Sequence, residues 1–316
     1  MRFLVTGATG FVGRAVCAEL AQRKHDLHRA VRCLAGPRGR FFQVGNIDST
    51  TNWSGALEHV DAVVHLAARV HIVHEGAENP LKEFRKVNVA GTEHLARAAA
   101  ATGIKRFAYV SSIGVNGAQT VQGTSFSEAD QPNPHNDYAL SKWEAEQGLL
   151  RIAAETGMEV VIIRPPLVYG PDAPGNFGSL MRWLKRGVPL PLGAIHNRRS
   201  VVALDNLVDL IVSCLTHPAA ANQTFLVSDG EDVSTTELLH RMGLAMGCPA
   251  RLVPLPPSLL KLAAAMVGKQ DMAQRLCSSL QVDIAKARDL LGWHPLLSLD
   301  QGLKKAAEGD GRETAV

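Results

Sequence analysis

Three glycines near the start of the chain set the strongest constraint on its fold. In Thr6-Gly7-Ala8-Thr9-Gly10-Phe11-Val12-Gly13 they recur at every third residue, after a short apolar run and before a stretch of helical spacing. The chain must turn sharply here, and only glycine lets backbone amides approach a pyrophosphate so closely. The N-terminus of the following helix adds positive potential. Strand before and helix after is the context in which such a run reads as a dinucleotide-binding turn rather than an ordinary glycine-rich loop.

The rest of the chain repeats that alternation. Apolar runs rich in β-branched residues occur at 3–6, 62–66, 107–111, 160–163 and 225–227, as expected of parallel strands covered on both faces. Residues 12–23, 84–101 and 138–156 have helical length and spacing. After Arg164 the prolines 165, 166, 171, 174, 189 and 191 crowd with glycines, which excludes one long helix and starts a second lobe. Asp205 reads as the N-cap of a helix carrying Leu207, Leu210, Ile211, Cys214 and Leu215 on one face, which returns the chain to the first lobe. The predicted fold is α/β, a Rossmann-type doubly wound parallel sheet with a smaller interleaved substrate-binding lobe. Residues 1–164 and 200–228 form the dinucleotide-binding domain. Residues 165–199 and 229–296 form the smaller lobe, with two or three helices between 234 and 293. Residues 297–316 are a helix end and a polar tail that frays.

Composition narrows the function classes. With 316 residues, 46% hydrophobic and 20% charged, the chain can bury a large core. A net charge of +3 without a basic run argues against nucleic acid. The five cysteines are odd in number and form no C-x-x-C, so neither a disulfide framework nor a zinc site is expected, and no metal is assigned. No apolar stretch approaches the roughly 20 residues of a membrane span. A strand pattern beginning at the second residue leaves no room for a signal peptide, so a cytoplasmic protein without membrane insertion is expected.

Two groups of residues carry chemistry. Tyr138 and Lys142 lie at i and i+4 on one helix face, where the ammonium is expected to draw the phenol's pKa down from about 10 toward the working pH, giving an acid/base pair for an alcohol or ketone. Ser111 and Ser112 end a strand at the carboxyl edge where doubly wound sheets present ligands. At the end of the second strand, Val31-Arg32 offers no carboxylate for a ribose, while Arg32 suits a 2′-phosphate. This favours NADP(H), with NAD(H) as the alternative and a solvated surface charge as the other reading of Arg32.

Together these residues resemble the extended short-chain dehydrogenase/reductases, in particular the nucleotide-sugar epimerases, dehydratases and reductases. The resemblance covers roughly residues 1–293. It also rests on Asp61-Ala-Val-Val-His-Leu-Ala-Ala68, Asn88-Val-Ala-Gly-Thr92, Val110-Ser-Ser-Ile-Gly-Val-Asn-Gly117 and Arg164-Pro-Pro-Leu-Val-Tyr-Gly-Pro171. It implies a catalytic triad of Ser112, Tyr138 and Lys142. The cofactor contacts it implies are Gly7, Thr9, Gly10, Phe11, Val12 and Gly13, the adenine contact Asn46 with Ile47, then Leu66, Ala67, Ala68, Asn88, Tyr138, Lys142 and Pro165. For a UDP-sugar substrate it implies Ser112, Asn176 beside Phe177, and Arg199 on the diphosphate.

Two departures stand out: Val31 replaces the ribose-binding aspartate of NAD-retaining epimerases, and Leu167 replaces a common phosphate-reaching asparagine. Within the family the chain looks most like bacterial enzymes of surface-polysaccharide and lipopolysaccharide sugar synthesis. Those are similar to 4-reductases of UDP-4-keto-6-deoxy-N-acetylglucosamine, which yield UDP-N-acetylquinovosamine and are often labelled UDP-glucose 4-epimerases. The expected reaction is therefore 4-keto reduction, with UDP-glucose or UDP-N-acetylglucosamine 4-epimerisation as the alternative and a non-catalytic dinucleotide sensor as a third reading. Family resemblance also implies a homodimer through helices 84–101 and 138–156.

Overall fold

A computed structural model describes residues 1–33, 40–70, 79–121, 123–266 and 268–309. Seven parallel strands form the main sheet: β1 (Arg2–Thr6), β2 (Asp26–Val31), β3 (Arg40–Gln43), β4 (Ala62–His65), β5 (Arg106–Val110), β6 (Glu159–Arg164) and a last strand at Thr224–Leu226. Their order is β3-β2-β1-β4-β5-β6 with the 224–226 strand at the far edge. The order reverses between β1 and β4, the switch point where such sheets bind their ligands.

Strand side chains alternate between two cores, as a period of two requires. Phe3, Val5, Val64, Ala108, Val161 and Ile163 face one, which is closed by Val16 and Leu20 of α1 (Phe11–Gln22) and Leu207, Leu210 and Ile211 of a helix at Leu204–Thr216. Leu4, Val63, Phe107, Tyr109, Val160 and Ile162 face the other. That core is closed by Leu95 and Ala99 and by Ala145, Leu149 and Ile152, from two helices on the opposite side. The predicted 84–101 helix is three segments: α2 (Pro80–Phe84), a π-helical turn (Arg85–Gly91) and α3 (Thr92–Ala101). Next comes α4 (Asp137–Thr156), capped by Asn136, whose Oδ1 accepts from Ala139 N at 2.8 Å, and ended by Gly157 at φ +74°.

A second, smaller sheet starts after β6. This three-stranded sheet contains β7 (Leu167–Tyr169), β8 (Arg199–Ala203) and a short antiparallel strand at Asp232–Val233, with β8 central. Val202 of β8 packs into the first core while Val201 and Ala203 pack with Phe177, Leu180 and Leu239 into a third, so the line between the lobes runs along this strand. The helices are α5 (Gly175–Lys185), α6 (Leu204–Thr216), α7 (Thr235–Ala245), α8 (Pro257–Met266), α9 (Gln270–Cys277), α10 (Ala285–Leu291) and α11 (Leu299–Gly309). Four described helices, not two or three, therefore lie between 234 and 293.

Asp205 is not the N-cap of α6. β8 runs directly into the helix, Ala203 occupies the extended cap position, and Asp205 sits in the first turn paired with Lys305. The strand continues to Ala203, so the helix begins before Asp205, and a first-turn carboxylate there still complements the helix dipole. Of the tail expected to fray, 308–316, Glu308 and Gly309 instead end α11, and 310–316 lie outside the described residues. No described helix is long and apolar enough to cross a membrane, and no described group of three or more His, Cys, Asp or Glu is placed to hold a metal ion.

Candidate active site

The glycine turn joins β1 to α1 with little room to spare. Gly7 has φ +64°, and a Cβ there would lie 2.9 Å from Ala67 N; a Cβ on Gly13 would lie 2.0 Å from Gly7 O. Gly10 N donates to Gly7 O at 2.9 Å and Gly10 holds the N-cap position of α1 with no side chain capping the helix. The first-turn amides thus keep their capacity for an anion, a combination that fits a dinucleotide's pyrophosphate.

A row of side chains fixes the turn to its neighbour. Thr6 pairs with His65 across β1 and β4, and His65 with Tyr109 across β4 and β5. Thr6 Oγ1 lies 2.7 Å from His65 Nδ1 and accepts from Leu66 N and Ala67 N, each at 3.2 Å. His65 Nε2 lies 2.9 Å from Thr92 Oγ1. Burial, then the nearby Lys142 charge, lowers the imidazole to about 3, so it stays neutral and its two nitrogens play opposite roles. Leu66 and Ala67 are thereby held beside Gly7, with Ala68 following.

The remaining predicted cofactor residues are spread around this turn. Asn46 O accepts from Thr51 Oγ1 at 3.1 Å, and Ile47 packs where a Cβ on Gly91 would lie 2.7 Å from its Cγ2. Pro165 O accepts from Ile113 N at 3.0 Å. Val31 is buried at the end of β2 and Arg32 is exposed just beyond it. Asn88 is fully engaged within the protein: Oδ1 accepts from Arg69 N at 2.8 Å, while Nδ2 donates to Arg69 O at 3.1 Å and Ser141 Oγ at 3.0 Å. It ties the segment after β4 to α4 from within the π-helical turn, a feature common at functional sites.

Ser112 and Lys142 lie where the end of β5 meets the start of α4, with Tyr138 one helical turn before Lys142. Ser112 Oγ accepts from Gly114 N at 3.1 Å in a short 3₁₀ turn at Ile113–Val115. A Cβ on Gly114 would lie 3.3 Å from both Ser112 Oγ and Ala139 Cβ. Lys142 is fully buried; its Nζ donates to Val110 O at 2.8 Å and lies 4.3 Å above the Tyr109 ring. Burial lowers Lys142 to about 7, partly opposed by Glu146. Tyr138 departs from the expectation of a lowered pKa: burial pushes its phenol up to about 12. Burial excludes water from the phenolate, while the Lys142 ammonium is directed toward Val110 and the Tyr109 ring.

The predicted substrate residues lie in the smaller lobe. Asn176 is exposed in the first turn of α5. Arg199 Nη1 donates to Arg275 O at 2.6 Å and Ser278 O at 2.9 Å; burial and the Arg275 charge lower its pKa. Arg275, in the last turn of α9, thus brings a second guanidinium to this place and was not singled out from the sequence. No spacing rule links it to Arg199, and only the fold does.

Comparison with known proteins agrees with this architecture. Residues 3–228 match the model of the NAD dependent epimerase/dehydratase family. The chain is 45% identical over 308 residues to a UDP-glucose 4-epimerase of Vibrio cholerae, covering 96% of this chain and 94% of that one. Among solved structures it superposes with a TM-score of 0.80 on the UDP-N-acetylglucosamine 4-epimerase of Bacillus cereus, at 20% identity and with 98% and 99% of the chains covered. The UDP-glucuronic acid 4-epimerase of Bacillus cereus, in complex with NAD, gives 0.78 at 21% identity, with 98% and 96% covered. The chain belongs to the NAD-dependent epimerase/dehydratase family and is an enzyme of the extended short-chain dehydrogenase/reductase type.

Proposed function

We propose that the protein is a UDP-sugar 4-epimerase. The observation that carries this reading is the 45% identity, along nearly its whole length, to the Vibrio cholerae UDP-glucose 4-epimerase. The site has the parts the reaction needs. A bound nicotinamide dinucleotide supplies the acceptor and donor of hydride. Amides of Gly10 to Gly13 hold its diphosphate, with Thr9, Phe11, Asn46, Ile47 and Ala67 along it. Tyr138 takes the proton from the sugar's 4-hydroxyl and later returns one to that oxygen. Ser112 orients the same oxygen, and Lys142 supplies the positive charge that the buried phenolate lacks without its ligands. Arg199 and Arg275 meet the UDP diphosphate, and Asn176 lies toward the base. A homodimer contact falls on the face shared by α3 and α4.

One observation favours a second reading. The end of β2 offers the buried Val31 instead of a carboxylate, and the exposed Arg32 suits the extra phosphate of NADPH. That arrangement fits reduction of a UDP-4-keto-6-deoxy-N-acetylhexosamine. The purified protein, with no dinucleotide added, is expected to interconvert UDP-glucose with UDP-galactose or the corresponding N-acetylhexosamines. Absence of interconversion, together with stoichiometric NADPH oxidation by the keto sugar, replaces the epimerase with the reductase.

A further inference from the structure

Lys142 carries a buried ammonium whose support is unusual. The nearest carboxylate on its own helix, Glu146, is occupied by Arg164 through two hydrogen bonds, at 3.0 and 2.5 Å. The ammonium instead donates to Val110 O at 2.8 Å and faces the Tyr109 ring from 4.3 Å. A cation over an aromatic face is held by the ring quadrupole, most strongly where water is excluded. Tyr109 and Lys142 are both fully buried.

The ring cannot readily turn away. His65 stacks on it, at 5.7 Å between centroids and 20° between planes. Thr6 and Thr92 anchor that imidazole at both nitrogens. Thr6, His65 and Tyr109 occupy one row across three adjacent strands, so the residue that opens the glycine turn is linked through two rings to the ammonium of Lys142.

We propose that Tyr109 is a positioning residue: its ring face, backed by His65, keeps the Lys142 ammonium charged and aimed in step with the dinucleotide turn. This rests on the reading of Lys142 as a catalytic group. Among the described residues, the ionisable groups around Lys142 are His65 from β4, Tyr109 from β5, Tyr138 and Glu146 from α4, and Arg164 from β6 through Glu146. His65 is neutral above about 3, and burial followed by Tyr138 and Glu146 keeps the Tyr109 phenol protonated well above its ordinary range. Near neutral pH the charge that changes in this group is therefore the ammonium's.

The test replaces the ring's electrons while keeping its shape. Full-length protein is prepared with Tyr109→Phe, and with 4-fluoro- and 3,4,5-trifluorophenylalanine at position 109. The Lys142 titration is followed by 13C NMR of labelled lysine, assigned with Lys142→Arg. Tyr109→Phe keeps the midpoint of the unmodified protein, and successive fluorination lowers it, by about one pH unit for the trifluoro ring. Where the enzyme turns over, the alkaline limb of kcat moves down with it while KM is unchanged. A midpoint that does not follow fluorination overturns the proposal. Because the NMR titration needs no substrate, inactivity toward every UDP-sugar refutes the proposed reaction without deciding this point.

Discussion

Glu146 and Arg164 form a two-point ion pair in the interior, with side-chain exposures of 1% and 7%, one helical turn beyond Lys142. The remaining guanidinium arm donates to Asn116 Oδ1 at 2.9 Å, so the pair joins α4, the end of β6 and the turn after Ser112. Removing one partner leaves the other charged and buried, which typically costs about 3–5 kcal/mol. Glu146→Ala is expected to lower stability by that order in urea unfolding. A change below about 1 kcal/mol would show that the site does not depend on this pair.

Tyr138→Phe is expected to reduce turnover by roughly 10²-fold or more, the usual effect of losing a general acid or base. Dinucleotide affinity is expected to stay nearly unchanged, since the task proposed for the phenol is at the sugar oxygen. Single-turnover rates and dinucleotide titrations separate the two. Near-normal turnover removes Tyr138 from the mechanism.

The parts of this molecule that were legible in its sequence are those fixed by local repetition. Buried strands announce themselves by continuous apolar runs, the glycine turn by spacing, and Tyr138 with Lys142 by one helical turn. Features made by distant contacts gave no such signal. The π-helical turn exists in company with Asn88, whose amide reaches Ser141 on another helix. Arg275 meets Arg199 only because α9 ends beside β8. Asp205 has the residue type of a cap, but β8 runs on to Ala203 and places it inside the first turn. The raised Tyr138 pKa follows from burial, which spacing alone does not report.

His65 makes the fold acid-sensitive in a defined window. Its ordinary pKa of 6.5 falls to about 3 in the folded chain. Between those values the unfolded chain binds a proton that the folded chain refuses, so stability is lost as pH falls from about 6.5 toward about 3. His65→Gln keeps a polar side chain without the titration. Its urea stability is expected to fall less steeply with acidity, by up to about 1.4 kcal/mol per pH unit across the window. Parallel profiles for the two proteins contradict the neutral assignment.

Arg199→Ala and Arg275→Ala are each expected to weaken UDP binding roughly ten- to a hundredfold, as loss of charge-assisted hydrogen bonds of about 1.5–3 kcal/mol implies. Dinucleotide binding is expected to be unaffected. Because the two guanidiniums are close enough to lower Arg199's pKa, their effects are not expected to add. Calorimetry with UDP checks both, and unchanged affinity in either variant sinks that residue's assignment.

The end of β2 is expected to bear on which dinucleotide the protein prefers. Arg32 is exposed there, free of burial that would oppose a bound phosphate, and a guanidinium grips phosphate by two parallel hydrogen bonds. Arg32→Ala is therefore expected to weaken NADPH about tenfold or more and to leave NAD almost untouched, because only the former carries the 2′-phosphate. Val31→Asp works in the opposite direction. A carboxylate at this strand end accepts hydrogen bonds from both ribose hydroxyls of NAD and repels the 2′-phosphate, so NAD is expected to gain on NADP by about tenfold. Competitive titration of the two dinucleotides against each variant measures both shifts. Equal weakening of NAD and NADPH in Arg32→Ala would mean that the side chain supports the strand end rather than reading the ribose, and would withdraw the main structural argument for the reductase. A selective loss of NADPH, with no NAD released on denaturing the native protein, would weigh against an epimerase that keeps its cofactor between turnovers.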